Sequence, residues 1–183
     1  CGEESFGTGS NHVREKDGLW AVLFWLQVMA AKKCSVIDLI NQHWNKFGRN
    51  YYTRHDYESI PISLANEIYS NLHNFLPSLE GKKFGFSHIT KADNYNYVDP
   101  IDQSVSVNQG LRIILENQSR VIVRLSGTGT KGATLRLYFE KFSKSNENLH
   151  LDPQLALQDL IKSLDDLLKI RNLTKMEKPT VIT

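Results

Sequence analysis

Residues 19–31, LWAVLFWLQVMAA, form an apolar run of 13 residues. A bilayer span needs roughly 18, so the run predicts a helix buried in a protein core. No basic n-region and no small-residue cleavage site flank it, so it is not a signal peptide. Asp17 is placed to cap this helix, and Lys32 and Lys33 suit the negative end of its dipole just past Ala31. Trp20, Trp25 and Trp44 read as packing residues, since large apolar side chains on helices are usually buried.

The chain has 183 residues. This length suits one domain or two small ones and allows burial of roughly 70% of the unfolded surface. Hydrophobic residues at 40% and charged residues at 23% exclude a disordered chain. A net charge of +2 gives no general basis for binding nucleic acid or a membrane surface, and neither is expected as a partner. Two cysteines, Cys1 and Cys34, make no disulfide framework and point to a reducing cytosol. The chain begins at Cys1, directly inside the glycine-rich CGEESFGTGS. A folded domain rarely starts within such a loop, so a C-terminal piece of a longer protein is expected.

Ser35 opens a second helix through Val36, Ile37, Leu39, Ile40 and Trp44, stopping near Gly48. Residues 49–59, RNYYTRHDYES, are aromatic and charged without clear period and read as a linker. Leu64, Ile68, Leu72 and Phe75 fall at helical spacing, and Pro77 ends that helix. After Gly81 the texture changes to short β-branched and aromatic segments at 84–91, 95–98, 111–116, 120–125 and 134–140, with ENQS at 116–119 as a hairpin turn. A last helix runs from about Pro153 to Arg171, with Asp152 as cap and Leu157, Leu160, Ile161, Leu164, Leu167 and Leu168 on one stripe. Asp165 and Asp166 on that helix read as solvated. The expected architecture is an α+β layer over 49–183. It is preceded by residues 1–48, a loop and two helices that look like the end of an α/β domain whose sheet is missing.

The chemistry-bearing segment is RLSGTGTKGATLR, Arg124–Arg136. A strand ends at an arginine, a glycine-rich loop follows, and a second strand brings Arg136. Glycines let backbone N–H groups converge, Ser126, Thr128 and Thr130 add hydroxyls, and arginines add fork-shaped charge. One phosphate ester fits between two such arginines and the loop; a flexible hairpin with two solvated arginines is the alternative. Lys131 is followed by Gly132 and Ala133, so this is not a Walker A loop. A second cluster, Glu3, Glu4, Ser5, Thr8 and Ser10 among Gly2, Gly7 and Gly9, suits sugar hydroxyls or a hard cation, or is a polar turn. Lys16 is placed to neutralise a phosphate or assist proton transfer. No zinc-type spacing, nucleophile elbow or Cys–His pair occurs.

Long stretches resemble one family. GEESFGTGS with HVREKDGLWAVL, GRNYYTRHDYE, RLSGTGTKGATLRLYFE and the terminal PTVIT are similar to the eukaryotic-type phosphoglucomutases of the α-D-phosphohexomutase superfamily, over essentially the whole chain. The resemblance implies a four-domain parent. Residues 1–48 would end its third, sugar-binding α/β domain, and 49–183 would be its fourth, a TATA-box-binding-protein-like layer. It implies that Glu3 and Ser5 hold glucose hydroxyls and that Lys16 contacts the substrate. Arg124, Ser126, Gly127, Thr128 and Arg136 would grip the phosphate that is not transferred, with Gly129 shaping the loop.

The implied activity interconverts glucose 1-phosphate and glucose 6-phosphate through a phosphoserine, with glucose 1,6-bisphosphate as intermediate and Mg²⁺ as cofactor. The family's T-A-S-H-type phosphoserine loop and D-G-D-x-D-type metal loop do not occur in this sequence. The expectations are therefore that this chain alone is inert, that no metal ligand lies in it, and that its partners are sugar phosphates and the remaining N-terminal domains. Cytoplasmic location follows from the same reading. The alternatives are a non-enzymatic relative resembling parafusin or aciculin, in trafficking or adhesion, and a mutase for another sugar phosphate. Exposed apolar surface on the first two helices is also expected, since the sheet they would cover is missing.

Overall fold

The computed structural model describes residues 7–11, 15–129 and 132–183, with residues 128 and 129 described for their backbone alone. These residues form two compact units, one running to Asn50 and taking in Ser143–Leu151, the other comprising Tyr51–Phe142 and Asp152–Ile182.

In the first unit, α1 (Gly18–Lys32) starts where Asp17 Oδ1 accepts a hydrogen bond from the Trp20 N–H at 2.9 Å. It closes at Lys33, whose left-handed backbone returns its N–H to the Met29 carbonyl. A capping box between Ser35 and Asp38 opens α2 (Val36–Phe47), which stops at Gly48. Trp44 is packed as expected, with the Arg49 guanidinium 4.1 Å above its ring and His150 against its edge. Arg49 also donates to the Leu149 carbonyl at 2.7 Å, which ties residues 143–151 to this unit.

The expected burial of α1 does not hold in this chain. None of its residues is buried, and Leu19 is 80% exposed. A helix that is apolar all round needs cover on several sides, and the described residues of this unit include no sheet to provide it. Trp25 accordingly lies open on α1 rather than in a core. The expected exposed apolar surface is present. Among the described residues no single helix is long and apolar enough to cross a membrane.

The second unit is built on β1 (Arg49–Ile60), α3 (Ile62–Phe75), β2 (Lys83–Phe84), β3 (Ser87–Val98), β4 (Val105–Leu115), β5 (Arg120–Gly129), β6 (Gly132–Ser143), α4 (Pro153–Leu168), α5 (Ile170–Thr174) and β7 (Val181–Ile182). The strands form one sheet in the order β2-β3-β4-β5-β6-β1-β7. Alternate residues of the central strands, Leu111, Ile113, Val121, Val123, Leu135 and Leu137, face a core completed by Ala65, Ile68 and Leu72 of α3 and by Leu157, Leu160 and Leu164 of α4. The two periodicities, two in strands and 3.6 in helices, thus meet on one side of the sheet. Each of the valine, leucine and isoleucine side chains contributes about 1.5–3 kcal/mol on burial. This is the expected α+β layer, and it leaves the other face of the sheet for polar side chains.

Three segments differ from expectation. Residues 49–59 are strand β1, not a linker, and the strand brings Tyr51, Thr53, His55 and Tyr57 into the buried interior. Two of these inward residues are polar, which hides the period of two. Gln154 satisfies both, donating to Thr53 Oγ1 at 2.8 Å and bonding His55 Nε2 at 2.9 Å. The segments at 84–91 and 95–98 resolve into the short β2 and a single long β3. The last helix breaks at Lys169, in left-handed conformation, and resumes as α5. Asp165 is three-quarters covered and pairs with Arg171 at 2.9 Å rather than being solvated.

Candidate functional site

β5 and β6 form a hairpin in which Arg124 stands directly opposite Arg136 and Ser126 opposite Thr134. β5 does not end at Arg124, contrary to expectation, while β6 carries Arg136 as expected. The ladder continues to Gly129 opposite Gly132, with a register irregularity after Ser126. Gly127 there has φ +68°, a left-handed conformation that favours glycine. At Gly132, φ is +97° and a Cβ would lie 2.9 Å from the Ile60 carbonyl oxygen. Glycine there lets the hairpin approach the end of β1.

Val121, Val123, Leu135 and Leu137 point into the core, so the pleat sends Arg124, Ser126, Thr134 and Arg136 to the open face. A row crosses the sheet there. Tyr95 is opposite Gly110, Leu111 is opposite Val123 so that Gly110 faces Arg124, and Arg124 is opposite Arg136. A Cβ on Gly110 would lie 3.0 Å from Arg124 Cγ, so the glycine leaves room for the arginine stem.

Like charges directly opposite on a sheet are destabilising unless an opposite charge joins them. Among the described residues no carboxylate lies within 4.0 Å of Arg124, and Arg136 reaches only Asp56, at 3.7 Å. The neighbouring Arg112 is different. It forms a two-pronged pair with Asp93 at 2.8 and 2.7 Å and lies 4.1 Å over the Tyr95 ring. That guanidinium holds the Asp93 carboxyl below the usual carboxylate range. Arg112 is thus neutralised, whereas Arg124 has no such partner among the described residues and Arg136 shares Asp56 with Arg54. A cleft of about 340 Å³ lined by Tyr95, Tyr97, Arg112 and Arg124 opens beside them. A wider cleft of about 750 Å³ runs along α4 past Asp159, Lys162, Asp165, Asp166 and Arg171, where three carboxylates outnumber two cations and disfavour an anion.

The structure therefore brings together Arg124, Ser126, Gly127 and Arg136. The backbone of Thr128 and Gly129 continues the same strand. Lys16 is exposed in the loop before α1, in the first unit. Glu3 and Ser5 lie outside the described residues. The arrangement offers two guanidinium forks, two hydroxyls and a glycine turn to one tetrahedral anion. The sequence reading missed Asp56 and Gly110 as members of this row. Asp56 sits in the segment read as a linker, and no local signal marks Gly110 as a cross-strand neighbour of Arg124. Among the described residues no group of three or more His, Cys, Asp or Glu side chains comes together to hold a metal ion.

The family model described as phosphoglucomutase-1, C-terminal domain, matches residues 49–180. The model for phosphoglucomutase/phosphomannomutase alpha/beta/alpha domain III matches residues 1–47. The chain is 53% identical over 183 residues to the phosphoglucomutase of Rhizobium radiobacter and 49% identical over 189 residues to phosphoglucomutase-1 of Oryctolagus cuniculus, covering all of this chain and 34% of each relative. A crystal structure of the exocytosis-sensitive phosphoprotein pp63/parafusin (phosphoglucomutase) from Paramecium, in an open form, is similar with a TM-score of 0.88 at 47% identity, over 100% of this chain and 32% of that one. The chain spans about a third of the length of the curated relatives it matches.

Proposed function

The chain belongs to the phosphoglucomutase family, and from that premise we propose that it is the C-terminal part of an enzyme interconverting glucose 1-phosphate and glucose 6-phosphate. The observation that carries this reading is the pair Arg124 and Arg136, face to face on the open side of the sheet, with Asp56 3.7 Å from Arg136 and, among the described residues, no carboxylate within 4.0 Å of Arg124. In this reading they grip the phosphate that is not being transferred, with Ser126, Gly127 and Thr128, while Gly129 shapes the turn. Glu3 and Ser5 hold the sugar hydroxyls and Lys16 contacts the substrate. Residues 1–48 then belong to the sugar-binding domain and 49–183 to the phosphate-binding one.

Each charge-assisted contact to such a phosphate contributes about 1.5–3 kcal/mol. Because the phosphate keeps its charge throughout, these contacts bind ground state and transition state alike, lowering KM more than they raise kcat. Their second effect is positional. A substrate anchored by its distal phosphate presents the reacting end in a fixed orientation.

The transfer itself needs groups this sequence does not contain, the phosphoserine and metal loops of the family. Mg²⁺ would supply charge neutralisation at the transferring phosphoryl group. No cluster among the described residues fits that ion. A cytosolic setting suits Cys34, which is not in a disulfide.

The test is a coupled assay from glucose 1-phosphate to glucose 6-phosphate, with Mg²⁺ and a trace of glucose 1,6-bisphosphate. The longest native form of the protein is expected to turn over. The 183-residue chain is expected to bind glucose 6-phosphate without turnover. Absent turnover in the long form, with binding retained, overturns the enzymatic reading in favour of a non-enzymatic relative.

A further inference from the structure

Asp56 is a buried carboxylate on the face of the sheet that carries Arg124 and Arg136, and its side chain is 4% exposed. It lies on β1, the strand next to β6. Its two oxygens face two different guanidiniums. Oδ1 accepts from Arg54 Nε at 2.9 Å, and Oδ2 lies 3.7 Å from Arg136 Nε. The Arg136 Nε is itself buried and has no hydrogen-bond partner, although the side chain as a whole is 40% exposed. Behind Asp56 the backbone is fixed. Its carbonyl accepts from the Thr180 N–H at 2.8 Å, and the residue is registered opposite Val181 of β7.

We propose that Asp56 is the positioning residue of the anion site. Held on one side by Arg54, it faces the inner nitrogen of Arg136 and so turns the outer fork of that guanidinium toward Arg124. The inference rests on the reading that Arg124 and Arg136 bind phosphate, and it adds what aims them. A guanidinium is planar, so fixing the direction of its Nε side fixes the direction of its two terminal nitrogens. A long arginine left on an open face would otherwise sample many rotamers and lose that entropy on binding. Arg54 matters because it occupies one oxygen of Asp56. With that oxygen taken, Asp56 orients Arg136 without capturing it in a two-pronged pair like that between Asp93 and Arg112. Arg54 and Arg136 then share one carboxylate, and Arg124 adds a charge that no described carboxylate within 4.0 Å offsets.

The positioning role makes a prediction opposite in sign to simple charge counting. Asp56→Asn removes a negative charge beside an anion site, so the field alone would tighten phosphate binding. Loss of aim would loosen it. The measurement is the dissociation constant of glucose 6-phosphate and of inorganic phosphate for the 183-residue chain, by calorimetry, in the unsubstituted chain and in Asp56→Asn. The expected result is weakening of about tenfold for both ligands, the scale of one charge-assisted contact. Unchanged or tighter binding overturns the proposal.

A carboxylate buried between arginines is often needed for folding, so a second measurement uses the unsubstituted chain. The Nε–H resonance of Arg136 is expected to report restricted guanidinium rotation before any phosphate is added. A freely rotating guanidinium that orders only on adding phosphate overturns the proposal as well. If the unsubstituted chain binds neither ligand, the phosphate reading itself falls and this inference with it. Binding that Asp56→Asn leaves intact removes only the positioning role.

Discussion

Replacing Arg124 with methionine separates the cost of a charged pair from its use. In the empty chain the substitution removes a repulsion between guanidiniums on directly opposed residues. Two guanidiniums about 7 Å apart in a water-like dielectric repel by about 0.6 kcal/mol, and Arg136 is open enough to be solvated. Methionine keeps an unbranched stem to fill the space beside Gly110, so the empty variant should be as stable as the original or slightly more so. With ligand the sign reverses. Glucose 6-phosphate at about one hundred times its dissociation constant stabilises the original chain by about 2.7 kcal/mol. For a chain of this length that raises the thermal midpoint by about 5–10 °C. Losing one charge-assisted contact of about 1.5–3 kcal/mol weakens affinity by about ten- to one-hundred-and-fifty-fold. At the same ligand concentration the stabilisation then drops to about 0.3–1.3 kcal/mol, half or less of its former value. Scanning calorimetry with and without ligand reads both signs in one experiment. A variant that keeps the full ligand-induced rise would refute the assignment of Arg124 to the anion site. A variant that is much less stable when empty would show that the arginine has a structural partner.

Three further outcomes follow from the same geometry. Gly132→Ala places a side chain at φ +97° against the Ile60 carbonyl and should cost about 2–3 kcal/mol in urea unfolding; a cost below about 0.5 kcal/mol would mean that the hairpin does not press on β1. Leu160→Ala, at a fully buried position on α4, should lose about 2–5 kcal/mol, and a small loss would show that α4 is not seated on the sheet. Burial lowers the His55 pKa, outweighing the opposite pulls of Gln154 and Asp56. The folded chain therefore binds fewer protons there than the unfolded one, and stability must fall as pH drops through the ordinary histidine value near 6.5. The midpoint should drop more between pH 7.5 and 5.5 in the original chain than in His55→Gln, and equal drops would exclude the histidine as the cause.

Much of this was legible from local pattern. The caps at Asp17, Ser35 and Asp152 and the leucine stripe of α4 announce their helices through nearest-neighbour chemistry, which acts within a turn. The strand segments after Gly81 announce themselves by composition, and the anion site by its arginines and glycines. What failed locally was decided by partners distant in sequence. The segment 49–59 looks like a linker because its inward positions include Thr53 and His55, and only Gln154, about a hundred residues away, makes them acceptable inside. The break at Lys169 is equally invisible in a run of helix-compatible residues.

The apolar run at 19–31 shows the same division from the other side. The sequence alone determined that it would be a helix, because capping and composition are local. Whether it is buried depends on what surrounds it, and in this chain none of its residues is buried. The anion site divides in the same way. Which residues could bind phosphate is written in RLSGTG and the arginine that follows. That Arg124 and Arg136 face each other, that Gly110 makes room for one and Asp56 faces the other, comes from strand register. Register sums many weak cross-strand contacts, and it exists only once the sheet has formed.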